Sequence, residues 1–527
     1  MTEKIKVLLF SMLVLSTLTT AQTTPTLIKD INTDGFFDKG SLAKINGNYF
    51  LPVKGNKVVF FANTDGDPYE EQPYVTDGTT AGTTLLNSTL YTALTKSHAH
   101  DPKNGLVYFS ARKDVQVSSK ADTELWVTDG TTTGTKKVKD IEPGDESSEP
   151  KDLTVANGLV YFTCDYGSFV KRGLWVSNGT DAGTIQLSDK IPNKIINFKG
   201  KIYLSMKVSS WDNELWESDG TVAGTKKLWI PLGASLNGIL ATKNFFYVQE
   251  GTKFSIFDIA TKKATPLVDT YTNGPLNYDG PVSVGSKDFF ATGKNFLTSS
   301  TSKNMLYTTD GTAAGTKQIK EFPDDLQQSY LYGAEKFVAF SAPDAAGLKQ
   351  LWLSDGTAAG TTMVELNKGA ESDPNSFCRV GNRLYFAAKY KDAAGKNYGR
   401  ALMITDGTAA GTKLAYNLNS NGDDAKVTAI SYVPLNNKPT LFFYAAPNSS
   451  IGQEPHKVEV SLISPIFEAE NANFPADVYP NPSNGLLHIQ AEDLASMDVY
   501  DLQGKVVLTK KHCSNSEQIE LPKGQCH

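Results

Sequence analysis

Short apolar runs, rich in aromatic residues, recur along the whole chain. They read KVVFFAN at 57–63, LVYFSA at 106–111, LVYFTC at 159–164 and KIYLSM at 201–206. NFFYV at 244–248, DFFAT at 288–292, KFVAFSA at 336–342, RLYFAA at 383–388 and TLFFYAA at 440–446 continue the series. Nearly every position in them is apolar, as expected of a strand covered on both faces. A second β-branched and aromatic run follows most of them and ends in a polar turn. The seven clear copies are PYVTDGTTAGT ending at Thr83, ELWVTDGTTTGT at Thr135, GLWVSNGTDAGT at Thr184, ELWESDGTVAGT at Thr225, MLYTTDGTAAGT at Thr316, QLWLSDGTAAGT at Thr361 and ALMITDGTAAGT at Thr412.

Asp-Gly between two strand-like runs predicts a tight hairpin. The turn pairs are Asp77-Gly78, Asp129-Gly130, Asn178-Gly179, Asp219-Gly220, Asp310-Gly311, Asp355-Gly356 and Asp406-Gly407. Asp or Asn accepts amide hydrogen bonds from the residues just after it, Gly supplies positive φ, and the Thr hydroxyls bond locally. The turn acids are separated by 52, 49, 41, 91, 45 and 51 residues. The gap of 91 hides a unit, and FSIFDIATKKATPLVD at 254–269 fills it, with Asp258 in the motif position and the glycines lost. A further strand follows each turn (KKVKDI, 136–141), then a Gly, Ser, Pro and acid-rich loop, then a fourth strand such as DLTVAN at 152–157.

Four short strands repeated every 48 or so residues are the pattern of propeller blades. The expected fold is all-β: a propeller of eight to nine four-stranded blades over residues 22–464, with nine units counted directly and a linear solenoid as the structural alternative. LIKDI at 27–31 matches VKDI at 138–141, while the ninth unit keeps HKVEVSLI (456–463) but lacks the DGT turn and the strand after it. Pairing these two ends closes the ring and removes exposed edges.

The first residues read as a secretory signal over 1–21: Lys4 and Lys6, an apolar stretch from Val7 to Leu18, then Thr19-Thr20-Ala21, with cleavage expected after Ala21. No other segment is long and apolar enough to predict a membrane span. The net charge of −6 offers no basic face for nucleic acid. Cys164, Cys378, Cys513 and Cys526 are too few for a disulfide scaffold and lack zinc spacing.

Candidate chemistry is sparse. HExxH, G-x-S-x-G and P-loop motifs are absent from the sequence. His98 and His100 with Asp101 form an HAHD stretch, read as a solvated loop with metal chelation as the weaker alternative. Calcium needs clustered oxygen ligands, and the DGTxxGT turns offer one acid each, so no cofactor is expected there. Asn63, Asp65 and Asp67 form the better oxygen cluster for a cation. Trp126, Trp175, Trp216, Trp352, Tyr74 and Tyr307 hold one position in each unit, which favours packing between blades over a sugar-stacking platform; Trp211 stands outside it.

The ELWxxDGTxxGT core with a preceding LYF strand and a following V-x-D-I resembles a repeat of secreted bacterial proteins, notably in Bacteroidota. That repeat implies no particular chemistry. After a linker at 465–477 (FEAENANFPAD, 467–477), residues 478–527 carry VYPNPSNGLLHI, VYDLQGKVVLTKK and IELPKGQ. These resemble the type A C-terminal sorting domain of type IX secretion, a small β-sandwich-like module. Tyr479, Pro480, Asn481, Pro482 and Gly485 make its opening box. The family continues past LPKG into a short basic end, whereas this sequence stops at Cys526-His527, so a truncated tail is expected. The resemblance implies export, a surface location at the outer membrane, and the outer-membrane secretion machinery as partner. The resulting functional expectation is a noncatalytic binding or adhesion scaffold for an unidentified glycan or protein. The alternative is a propeller hydrolase or lyase acting on polysaccharide through acidic residues in the central funnel.

Overall fold

In the computed structural model, nine antiparallel sheets follow one another in chain order. The structure describes residues 24–31 and 50–460, apart from 64–70, 93–96, 114–121, 166–170, 210–211, 231–235, 270–279, 293–303, 324–329, 419–423 and 447–452, together with the backbone of 5–8, 476–479, 486–491, 496–500, 506–511 and 516–520. Blade 1 runs Leu51–Val53, Lys57–Asn63, Glu71–Thr76 and Thr84–Leu85. Blades 2 to 8 occupy 90–137, 150–188, 192–229, 236–269, 282–322, 331–364 and 375–416, and blade 9 begins at 428. In blade 2 the first strand is split: Leu90–Thr92 and His98–Asp101 both pair with Leu106–Lys113. The aromatic runs read from the sequence are the second strands, and the LWV runs are the third.

The ring is closed by the N-terminal segment. Blade 9 supplies Thr428–Leu435, Lys438–Ala445 and Glu454–Glu459, and its fourth strand is Thr26–Leu27, with Thr26 opposite Lys457 and Leu27 opposite His456. Ile28 N–H donates to Pro455 O at 2.9 Å, and Ile31 N–H to Glu454 Oε2 at 2.9 Å. The blade count is therefore nine, and the linear solenoid is replaced by a closed ring.

First strands of successive blades lie side by side, for example between blades 3 and 4 and between blades 8 and 9, so they form the inner wall. Hydrogen bonds join them, as from Ala429 N–H to Ser376 Oγ at 3.4 Å and from Asn197 Nδ2 to Val155 O at 2.8 Å. Several first strands carry a bulge, with Asp152 (φ 55°), Ser376 (53°) and Ala429 (55°) in the left-handed region at its centre in blades 3, 8 and 9.

The core is divided into layers between blades. Each blade-to-blade interface has its own apolar cluster, including blade 9 on blade 1. This explains why the second strands are apolar on alternate and intervening positions alike: one face of each sheet meets the preceding blade and the other the following blade. At the seam, Phe50 lies 5.4, 5.2 and 5.3 Å from the rings of Phe60, Phe442 and Tyr444. Burial of such a ring contributes about 2–3 kcal/mol.

Residues 24–461 form one compact unit; 1–23 with 462–527 form another. The second unit contains two three-stranded sheets. In one, Ala476–Tyr479 and Ser516–Glu520 flank Leu486–Ala491. In the other, Ser496–Tyr500 pairs with Val506–Lys511 and, in parallel, with Ile5–Leu8. The rest of the expected signal stretch, including Ala21, lies outside the described residues.

Candidate functional surface

Antiparallel order puts two kinds of connection at opposite ends of the ring. The DGTxxGT turns join third to fourth strands and share one end, the turn face, with the tight turns between first and second strands. The second-to-third and blade-to-blade connections share the other, the loop face.

On the turn face every motif residue has a bond to make. In blade 2, Asp129 Oδ1 accepts from Thr131 N–H at 2.9 Å and from the Thr131 hydroxyl at 2.6 Å. Gly134 N–H donates to Thr131 Oγ1 at 2.9 Å, and the Thr135 hydroxyl donates to Thr131 O at 2.7 Å. Thr135 Oγ1 also lies 2.7 Å from Thr128 Oγ1, and Gly130 N–H reaches that same Thr128 hydroxyl at 3.0 Å. A Cβ on Gly134 would sit 2.0 Å from Asp129 Oδ1, so the second glycine makes room for the carboxylate. The first glycine serves the neighbouring blade: Gly130 has φ 84°, and a Cβ there would meet Val53 of blade 1 at 2.6 Å. Gly407 repeats this against Phe337 of blade 7 at 2.5 Å.

Asn178 Oδ1 accepts the equivalent bonds at 3.0 and 2.7 Å, so the turn works without a charge. In blade 5, Asp258 Oδ1 accepts from Ala260 and Thr261 N–H at 2.9 and 3.0 Å, keeping the turn without its glycines. The Thr79 hydroxyl and amide hold Asp77 below the ordinary aspartate range, and those of Thr221 and Thr312 do the same for Asp219 and Asp310.

The sequence reading missed the residue before each turn acid. Thr76, Thr128, Ser177, Ser218, Thr309, Ser354 and Thr405 each pair their hydroxyl with the last Thr of the motif, seven positions on. The signal was present, since all seven copies carry Ser or Thr there.

The loop face is built differently. A buried Glu or Gln at the start of the third strand ties down the connection to the next blade. Glu124, wholly buried, accepts from Glu142 N–H at 3.0 Å and from the Ser148 hydroxyl at 2.5 Å. Glu454 holds Ile31 in the same way, while Gln350 donates to Ala370 O at 3.0 Å and accepts from Ser372 at 2.9 Å. Burial pushes the Glu124 carboxyl up to about 7, against the opposing pull of Ser148 and the backbone amides. Nearby, the Lys137 ammonium lies 2.8 Å from Asp122 and 2.8 Å from Asp140. The oxygens of Asp122, Glu124 and Asp140 come within 4.8 Å of one another, a group with the donors for a cation but already neutralised in part by Lys137. On blade 8, Arg400 clasps Asp373 at 2.6 Å.

The HAHD stretch is a strand, not the solvated loop expected. It is part of the inner strand of blade 2, with His98 opposite Phe109 and Asp101 opposite Leu106. His98 is buried, its ring 4.2 Å from Phe61. Burial lowers His100 from its usual range. The third-strand aromatics pack between blades: Trp126 in the layer of blades 1 and 2, Trp175 in that of 2 and 3, Tyr74 in that of 9 and 1, and Tyr307 in that of 5 and 6. Trp216 and Trp352 lie half-buried against such layers. Asn63 ends the second strand of blade 1, where it pairs with Glu71. Asp65, Asp67 and Trp211 lie outside the described residues, as do Pro480, Asn481, Pro482 and Gly485; Tyr479 ends a tail strand.

Among the described first-strand residues, the carboxylates are Asp101 and Asp152. Asp101 is buried and caps its own turn through Lys103 N–H at 3.0 Å and Asn104 Nδ2 at 2.7 Å. Asp152 accepts from the Thr163 hydroxyl at 3.2 Å. The first strands also carry Lys151, Lys194 and Arg379, of which Lys151 pairs with Glu149 and Asp165.

Residues 477–524 match the family described as secretion system C-terminal sorting domain. The protein thus carries a type IX sorting tail and is a secreted, cell-surface protein associated with the outer membrane. No curated protein sequence matches the chain. Among solved structures it is similar to a puromycin hydrolase, at 12% identity and TM-score 0.35, covering 80% of this chain and 62% of that one. It is also similar to the dihydro-heme d1 dehydrogenase NirN, at 13% identity and TM-score 0.40, covering 69% and 71%. A eukaryotic initiation factor gives 9% identity and TM-score 0.39, covering 78% and 98%.

Proposed function

We propose that this protein is a noncatalytic binding or adhesion scaffold, exported through its sorting tail, whose propeller holds a glycan or protein ligand at the cell surface. The observation that carries this reading is the division of labour between the two faces. The repeated motif residues are committed to building turns and sealing blades, while the non-repeated connections gather at the loop face. Of the longest departures from the repeat, 112–123 falls at the second-to-third connection of blade 2, while 86–103 and 269–286 each span a blade-to-blade connection together with the first strand that follows it. Propellers place ligand chemistry on such rims while the blades stay constant.

A hydrolase or lyase using acids in the central funnel needs a pair of carboxylates free to work on substrate. Asp101 is occupied by its own turn, and Asp152 accepts from the Thr163 hydroxyl. The purified exported protein, tested on a glycan array, on matrix proteins and against a polysaccharide panel with product analysis, is expected to retain one class of ligand and release no new sugar ends. Turnover of any polysaccharide would overturn the scaffold reading in favour of the enzyme.

A further inference from the structure

We infer that the propeller is displayed with its turn face toward its point of attachment and its loop face outward. This rests on the surface-display reading above and adds an orientation to it.

The argument is one of strand direction. In the other blades the third strand runs into the turn face, where DGTxxGT, or in blade 5 the turn at Asp258, reverses it. Blade 9 has no such turn, so its third strand, Glu454–Glu459, delivers the chain to that face and on toward the tail. Glu459 lies opposite Thr440, beside the tight turn at Asn436-Asn437, and Val460 N–H donates to Pro439 O at 2.8 Å. The closing strand is antiparallel to it: Thr26 is opposite Lys457 and Ile31 reaches Glu454. The segment before Thr26 therefore also enters by the turn face. Both ends of the propeller are on one face, and the loop face carries neither.

The tether is short. Residues 461–475 lie between the propeller and the first tail strand at Ala476, and 15 residues reach at most about 50 Å. Both faces expose charge: the turn face at Asp219, Asp310, Asp355 and Lys103, the loop face at Asp145, Glu146, Glu365, Lys368 and Lys396. The orientation therefore rests on where the chain enters and leaves the propeller.

The test uses the full chain on its native cells. Cys164 and Cys378 are buried and stay in place as background, while Cys513 and Cys526 are replaced by Ser. Single cysteines are placed on the turn face (Thr132→Cys, Ala359→Cys) and on the loop face (Asp145→Cys, Lys368→Cys), all at exposed positions. A maleimide on a bulky polymer is then applied to intact cells and to detergent-released protein. The loop-face pair is expected to label at least five-fold faster than the turn-face pair on cells, with rates within two-fold after release. Equal rates on cells, with the protein in the cell fraction, would overturn the orientation and leave surface display standing. Recovery of the wild-type protein in the medium alone would overturn surface attachment, and the orientation with it.

Discussion

Leu27 lies opposite His456, so residues more than four hundred positions apart are neighbours in one sheet. His456 stacks on Phe443 with centroids 5.8 Å apart, and burial lowers it from the usual histidine range, so the closing strand covers an already packed ring with few polar demands. Ile28 is buried beside it in the layer between blades 9 and 1. The seam is thus made of the same materials as any other blade interface.

Asp355 is expected to act mainly as a hydrogen-bond acceptor. Asp355→Asn should leave the Tm unchanged, because Asn178 already fills that role in blade 3. Asp355→Ala removes the acceptor for Thr357 N–H and its hydroxyl, at 2.8 and 2.7 Å, and should cost about 1–2 kcal/mol. Thermal melts in calcium and in chelator should coincide for all three proteins. A calcium-dependent rise in Tm lost in Asp355→Asn would contradict this.

The two roles of glycine separate by substitution. Gly369 has φ 71° with open space where a Cβ would go, so Gly369→Ala carries conformational strain of about 1 kcal/mol. Gly407 has φ 95° and Phe337 of the neighbouring blade at 2.5 Å from that position. Gly407→Ala should therefore destabilise by clearly more, about 2–4 kcal/mol in denaturant unfolding, since strain and overpacking add. Equal costs would mean that the motif glycine does not seal the interface.

Glu124 gives a pH signature. Its carboxyl is raised from 4.5 to about 7 in the folded chain, so the fold prefers the neutral form. Below about pH 4.5 the residue is protonated whether folded or unfolded and costs nothing. As pH rises toward 7 the unfolded chain ionises first, and stability is progressively lost, levelling off above 7. A tenfold change in an ionisation equilibrium is worth about 1.4 kcal/mol, so the loss is large enough to read in a melt. Glu124→Gln keeps an acceptor for Glu142 N–H and removes the titration. Its Tm relative to the wild type should rise between pH 5 and pH 8; a flat difference would show that burial does not penalise the charge.

Much of the fold is legible in the sequence because the repeat states one blade many times. The NFFYV run, the doubled spacing and Asp258 mark the hidden fifth unit, and Asp258 does form the turn. The match of LIKDI to VKDI marks the closing strand, and Ile31 does occupy the place beside a buried glutamate. What escapes is information carried between elements. The glutamate of ELW looks like a surface acid, yet Glu124 is buried because it must hold the amide of Glu142 in the following connection. HAHD looks polar, yet its strand is fixed by pairing with Leu106–Lys113 and by Phe61 from the neighbouring blade. The bulges at Asp152, Ser376 and Ala429 share a left-handed backbone but no common residue type, so the sequence does not mark them. The face that gathers the irregular connections can be named only once strand directions are known.

The closed ring is the claim on which the shared exit face, the blade layers and the outward loop surface all depend. Its direct measurement is the thermal melt of a chain beginning at residue 32 beside one beginning at residue 22. Loss of the Thr26–Leu27 pairing, the Ile28 burial and the Ile31–Glu454 bond should lower the Tm by on the order of 5 °C or more, and a synthetic peptide of residues 24–31 added in excess should restore part of it. An unchanged Tm with no response to the peptide would contradict closure by the N-terminal strand.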